Sequence, residues 1–348
     1  MTNTSTVRLP KGPGSKPNMF RSFARSFGVI WSNKKARIGV IILAVFVLAA
    51  IFGPLVAPYG ATVNTFPRSA NGSAEHWLGT TAAGEDVFSQ LIYGARISVL
   101  VGVVAGGLAT VVAVVIGLGW GYLRGFVSDT INFIVNLFLV IPALPLMIVI
   151  ATYLQNGGIT VIIVVIVITG WAWGARVLRS QTQSLRGRDF VIAARFSGDS
   201  APRIIFREIL PNMISIIASS FFGAATAAIL AEAGLEFLGL GDSSIVSWGT
   251  MLYWAQNSSA LLTGQWVLLF APGLCIALLA MSLTLINFGV DVISNPRLRE
   301  TGSRRRRGPK GTPTPTDQAG GDADRQFNEA TEGADNVDVD VDVREVQQ

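Results

Sequence analysis

The sequence predicts an all-α polytopic membrane protein with six transmembrane helices. Half of its 348 residues are hydrophobic and only 14% are charged, whereas about a quarter are charged in a water-soluble domain. Mean hydropathy is +0.50, which places the chain in the membrane class before any motif is read. Six apolar runs reach the roughly 20 residues that a helix needs to cross the hydrocarbon layer. Lys and Arg concentrate in every second gap between those runs, as a cytoplasmic side requires.

The basic arm, 1–37, carries eight Lys/Arg and no acid. Within it Phe20, Phe23, Phe27 and Ile30 fall at helical spacing with Arg21 and Arg25 between them, which predicts a helix lying in the membrane interface. Trp31, Lys34 and Lys35 suit the headgroup level. The first apolar run, 38–57, starts too late for a signal peptide and lacks a small-residue cleavage site. The other runs are 97–118, 131–154, 159–178, 213–231 and 266–290. Each satisfies its backbone internally as a helix, and Pro142 and Pro145 kink the third.

Orientation follows from the arm, from seven Arg in 176–207, and from Arg297, Arg299 and Arg304 to Arg307. All three basic stretches fall on one side, so both termini are expected in the cytoplasm of a multi-pass cell-membrane protein. The other side receives 58–96, the short turn 155–158, and 232–265, which has no basic residue. The organisation expected is arm 1–37, first span and outer segment 38–96, a five-span core 97–300, and a tail 301–348. That tail holds seven Lys/Arg and ten Asp/Glu, with Gly, Pro and a VDVDVDV run, and is expected to be disordered. Its Arg run suits anionic lipid. No nucleic-acid partner is expected.

The most informative segment is soluble: RGRDFVIAARFSGDSAPRIIFREILPN, 186–212. Phe190, Val191, Ala193, Ala194 and Arg195 suit a first short helix, and Gly198 supplies a residue that accepts positive φ. Asp199 or Ser200 can cap a second helix, with Pro202 in its first turn and Pro211 at its end. The small Ala193–Ala194 pair admits a close neighbour, and Arg186, Arg188 and Arg195, with Asp189 between them, offer charged contacts. The segment therefore reads as a docking surface for a soluble partner, against the plainer reading of a loop that only fixes topology.

Elsewhere the chemistry is sparse. Ser215, Ser219, Ser220, Gly223 and Thr226 in the fifth run either line a wet path or pack helices closely. Trp248, Tyr253 and Trp254 form either an interfacial belt or a contact for an outer partner. His76 lacks companions for a metal site and suits packing. Cys275 stands alone in an apolar run. There is no G-x-x-x-x-G-K-[ST] phosphate loop, so ATP hydrolysis of that kind must come from another chain. Glu232, Glu236 and Asp291 sit at run ends, leaving the span centres without a proton relay.

Several stretches resemble one family. Ala193, Ala194, Gly198 and Ile209-Leu210-Pro211 match, in order, the cytoplasmic signature of ABC-importer permeases, with Ile192 where Glu leads the triplet. HWLGT at 76–80, GEDVFSQLIYGARISVLVG at 84–102, ILAEAGLEFLGLG at 229–241 and SWGTML at 247–252 resemble the C-type permease of dipeptide/oligopeptide importers. So does NFGVDVISNPRLR, with Asp291, Pro296 and Arg297. Trp77 and Glu85 depart from the usual Pro and Arg. The resemblance covers about 33–299 and implies the type I permease fold of ABC importers. It implies a non-catalytic subunit paired with a second permease, with two ATPase subunits carrying ATP and Mg, and with a lipoprotein that delivers peptide. The segment 186–211 would then be the coupling helices. Nickel, glutathione or another small solute is the alternative cargo, and a stand-alone secondary carrier the alternative class.

Overall fold

The computed structural model describes residues 33–154 and 158–294. In chain order its helices are α1 (Lys34–Val56), α2 (Val87–Tyr122), α3 (Phe126–Val140), α4 (Ala143–Tyr153), α5 (Gly158–Arg186), α6 (Asp189–Phe196) and α7 (Ala201–Ile204). A π-turn (Ile205–Ile209) and α8 (Leu210–Asn212) lead into α9 (Ile214–Phe237), α10 (Trp248–Asn257) and α11 (Val267–Ser294). Five of these are long and apolar enough to cross a membrane; α3 and α4 meet the same test only as a bent pair, which makes six spans if the pair counts as one. The chain is thus a multi-pass membrane protein. The expected interfacial helix around 20–31 and the tail 301–348 lie outside the described residues.

The helices overrun the apolar runs because backbone bonding continues where hydropathy stops. α2 begins ten residues before 97, at a cap: the Asp86 carboxylate accepts from the Ser89 N–H at 2.8 Å. α9 runs on to Phe237, where Gly239 takes φ +77°. There the Gly239 N–H reaches the Glu236 carbonyl (2.8 Å) and the Leu240 N–H the Leu235 carbonyl (3.0 Å), satisfying orphan carbonyls in a Schellman turn.

The third span departs from expectation. Instead of a kink there is a break, with α4 turned 92° from α3. Ile141 is extended (φ −70°, ψ 127°), the conformation that a following proline imposes. Pro142 has no N–H to continue the ladder of α3, and Pro145 is tolerated in the first turn of α4.

α2 is the spine of the bundle, with α5 and α9 against it and α1 and α11 beside them. Lipid tails are as apolar as leucine, so helix association in a membrane rests on close packing rather than on the hydrophobic effect. Glycines on α2 permit that approach. A Cβ on Gly106 would stand 2.5 Å from the Ala225 Cα on α9, and one on Gly121 the same distance from the Thr182 Cβ on α5. On the neighbouring Gly107 the nearest atom would be 3.8 Å away, in Phe221.

Gly106→Ala is therefore expected to destabilise the protein by about 1–3 kcal/mol through overpacking. Gly107→Ala is expected to be neutral, or stabilising by up to about 1 kcal/mol, through helix propensity. Thermal unfolding of both variants in detergent checks this; equal midpoints would remove the close approach as the cause.

Candidate functional site

The segment between α5 and α9 folds back onto the arginine-rich end of the bundle. Val191, Ile204, Ile209 and Met213 are fully buried there, with Leu178 of α5 and Trp120 of α2 in the same cluster. Gly198 adopts φ +81°. Its N–H donates to the Arg195 carbonyl at 3.1 Å, and the Asp199 N–H to the Ala194 carbonyl at 3.1 Å, a second Schellman turn. The helix-break-helix expectation thus has a definite hydrogen-bond basis. The capping expectation does not: Ser200 makes no side-chain cap bond, and Asp199 instead pairs with Arg203 at 2.9 Å.

The charged residues divide into two sets. Arg186 is not offered outward. Its Nη1 donates to the carbonyls of Gly121 (3.4 Å) and Tyr122 (3.1 Å), the terminal acceptors of α2. The Arg195 guanidinium lies 5.8 Å from the Tyr122 ring. Arg186 thereby ties the start of the segment to α2, and Arg195, itself exposed, adds a long contact at the same end. Arg188 and Asp189 remain exposed, Asp189 in the first turn of α6 where a negative charge favours the helix dipole. Ala193 is exposed and Ala194 half-buried.

Of the strongest feature of this surface, sequence reasoning named Phe190 and missed Ile192, Phe196 and Phe206. Phe196 is 88% exposed and Phe206 63%, with Phe190 and Ile192 also exposed. Four apolar side chains stand in solvent reach on a segment whose other apolar residues are largely inside. The available signal was an aromatic residue beside an arginine, twice, in an otherwise polar stretch.

The proposed path residues all lie on α9. Ser219, Gly223 and Thr226 share one face by spacing. Gly223 is exposed, and a Cβ placed on it would meet nothing within 4 Å. The Thr226 hydroxyl bonds back to the Phe222 carbonyl. The Ser219 hydroxyl donates to Asp291 on α11 at 2.6 Å, a pairing across helices that sequence spacing does not reveal. Ser215 and Ser220 are half-buried.

At the opposite end, the three aromatic residues separate. Trp248 is fully buried, its Nε1 donating to the Leu91 carbonyl and its ring edge-on to Phe46, so it is a packing residue and not a surface contact. Tyr253 packs on Gly239, and Trp254 is 54% exposed. Trp254, Met251, Ile245, Glu85 and Gln90 help line a cavity of about 420 Å³. Asp242 beside it accepts two bonds from Ser244, which hold its carboxyl below the usual carboxylate range.

His76 packs against Tyr59 and Phe66, and its Nδ1 meets Asp86 at 3.0 Å. Glu232 and Glu236 differ from expectation. Both lie within α9, buried, rather than in the outer loop. The Ser98 hydroxyl of α2 donates to Glu232 (3.2 Å), and the Ser247 hydroxyl donates to Glu236. Ser247 is also the cap of α10, in a reciprocal box with Thr250. The two glutamates therefore tie α9 to α2 and to the start of α10.

The family of binding-protein-dependent transport system inner membrane components matches residues 113–300. The N-terminal TM domain of oligopeptide transport permease C matches 23–72. The dipeptide transport system permease protein DppC of Bacillus subtilis is 33% identical over 269 residues, 77% of this chain and 83% of that protein. DppC of Alkalihalophilus pseudofirmus is 36% identical over 79% of this chain and 90% of its own length. The oligopeptide transport system permease protein OppC of Bacillus subtilis is 33% identical over 77% and 88%.

Removing the Glu236 carboxylate leaves the Ser247 hydroxyl without its buried acceptor. Glu236→Ala is expected to weaken the seating of α10 by about 1–3 kcal/mol, while Glu236→Gln retains an acceptor and loses less. Hydrogen exchange of the amides in 245–257 reports this, and identical protection in Glu236→Ala and the parent chain would refute the tie.

Proposed function

The chain belongs to the binding-protein-dependent transport system inner membrane components, and from that premise we propose that it is the permease subunit of an ATP-driven importer carrying di- and oligopeptides into the cytoplasm. Peptide cargo is supported by relatives named as dipeptide and oligopeptide permeases. The working assembly pairs this chain with a second permease, two ATPase subunits holding ATP and Mg, and an outer binding lipoprotein. Both termini and the segment 186–212 face the cytoplasm, in keeping with the arginine distribution.

The single observation that carries the coupling role is the exposed set Phe190, Ile192, Phe196 and Phe206 on a segment anchored by fully buried neighbours. Exposed apolar side chains on a rigid support fit a partner's groove. Arg188 and Asp189 beside them add polar contacts at the rim. Displacing this segment displaces what it is tied to. Arg186 holds its start to the end of α2, with Arg195 in long contact there, and α2 runs to the outer face. Closure of the ATPases on ATP would therefore shift α2 relative to its neighbours and change which side the path opens to. Ser215, Ser219, Ser220, Gly223 and Thr226 on α9 are the path residues in this reading, and Tyr253 and Trp254 the outer contacts.

Gly198 gives a direct test, because nothing stands within 4 Å of the space a side chain would take. In Gly198→Ala the cost is only that of a left-handed residue, about 1–2 kcal/mol, and transport is expected to continue. Gly198→Trp inserts normally but obstructs a docked ATPase, so peptide uptake falls while ATP hydrolysis no longer follows substrate. Uptake at the parent rate in Gly198→Trp would sink the coupling role. Replacing Phe196 and Phe206 together with Asp is expected to lower copurification of the ATPases at least about tenfold, since two buried anchors commonly exceed about 1.4 kcal/mol. Vesicles containing this chain alone are expected to accumulate no peptide under any ion gradient; accumulation there would favour a secondary carrier.

A further inference from the structure

The cavity of about 420 Å³ lies at the start of α2, opposite the end of that helix that receives Arg186. Two stretches wall it. The segment leading into α2 contributes Glu85 and Gln90, and the loop and helix of α10 contribute Ile245, Met251 and Trp254. Its volume falls in the range of sites built to hold a ligand.

Charge sets its character. Glu85 is the only charged side chain among the described lining residues. It is half-buried, and it is oriented: Gln90 Nε2 donates to its Oε2 at 2.8 Å, and the Thr81 hydroxyl donates to the same oxygen at 3.2 Å. Gln90 is itself fixed, because its Nε2 also reaches the Ala61 carbonyl at 3.2 Å. The second oxygen, Oε1, accepts no bond from the described residues. The ion pairs among those residues are His76–Asp86 and Arg203–Asp199, so Glu85 has no counter-charge there. Asp242, next to the lining residue Ser243, adds a second carboxylate that its bonds from Ser244 hold below the usual range.

Trp254 supplies the other half. Its Nε1 donates to the Ser243 carbonyl at 3.2 Å, and its ring meets Tyr253 edge-on at 5.3 Å. These contacts fix the indole while the residue stays half exposed. A carboxylate and an indole in one cavity suit a cation on an apolar stem. The carboxylate takes the charge, the ring face attracts it, and apolar lining such as Met251 covers the methylenes of a lysine or arginine.

Position selects among carriers of such a cation. None of the described lining residues belongs to α9, which bears the path residues, so the ammonium of a peptide moving along α9 does not pass this cavity. The exposed apolar side chains of the spans, Leu55, Leu100 and Phe270 among them, also lie outside the lining. A lipid amine would find no place there for its tails. The occupant that fits is a basic side chain presented by a soluble protein at this end of the bundle.

We propose that the cavity receives a lysine or arginine side chain of the delivery protein, with Glu85 as its counter-charge and Trp254 as its aromatic wall. The proposal rests on the importer reading and gives a chemistry to the outer contact assigned to Trp254. A cation seated here docks the delivery protein at the start of the helix whose far end Arg186 ties to the coupling segment.

The test uses the whole transporter with its partner subunits in nanodiscs and the delivery protein in solution. ATP-driven uptake of trialanine by the parent transporter in liposomes is measured first; its failure overturns the importer reading itself, before any variant is compared. Glu85→Gln keeps an oxygen for Gln90 and removes the charge. Its association rate with the delivery protein is expected to fall about fivefold at about 0.01 M salt, and the gap to close toward about 0.1 M as the Debye length shrinks from about 30 to about 10 Å. Glu85→Lys is expected to fall further. Trp254→Leu is expected to weaken binding about threefold at both salts. A second measurement leaves both residues in place. With the exposed lining residue Ala83 replaced by p-benzoylphenylalanine, illumination of the assembly is expected to join this chain to the delivery protein at a segment containing Lys or Arg. Association of Glu85→Gln at the parent rate at both salts overturns the proposal. So does a loss that salt does not alter, which would assign Glu85 to holding the fold. Photoadducts confined to the second permease, to lipid or to the peptide overturn the choice of occupant.

Discussion

Close backbone approach along α2 is the constraint on which the rest of this structure depends. In hydrocarbon, apolar side chains gain nothing by leaving lipid for one another, so helices cohere through short-range contact and internal polar bonds. α2 meets that requirement with glycines at both ends and in the middle: Gly94 against Trp248, Gly102 against Ile229, Gly106 against Ala225, and Gly117 and Gly121 against α5. Each neighbour is positioned by a missing side chain. At 36 residues, α2 is about 54 Å long and spans the layer with turns to spare at either end.

Those spare turns connect the two faces. At one end the last carbonyls of α2 receive Arg186, and Tyr122 receives Arg195, so the segment carrying Phe196 and Phe206 is keyed to α2 rather than tethered loosely. At the other end the Leu91 carbonyl receives the Trp248 indole, Ser98 meets Glu232, and Asp86 meets His76. A push on the coupling surface in the proposed transport cycle therefore arrives at the outer loop through one continuous helix. Spread over flexible connectors, the same push would be lost as local motion.

Polar groups inside the bundle fall into two kinds. Glu232 and Glu236 meet serine hydroxyls from two other elements and so fasten α9 to its surroundings. Among the described residues, Arg176 and Arg179 meet amide oxygens and an aromatic face, which orient them. A fully answered group rigidifies a structure.

The sequence by itself determined the membrane class, the apolar runs that become five long helices and one bent pair, the side on which arginine gathers, and the break at Gly198. Those features depend on local quantities: hydropathy over one helix length, charge in the connecting segments, and the steric freedom of one residue. It could not fix which of two roles a given residue takes when both suit its chemistry. Arg186 and Arg188 look alike in the chain, yet one caps a helix 64 residues away and the other stays exposed. Trp248 and Trp254 read as a pair, yet one is buried against α2 and the other borders a cavity. Such divisions rest on contacts between residues far apart in sequence, and only the folding of the helices around α2 brings those residues within reach.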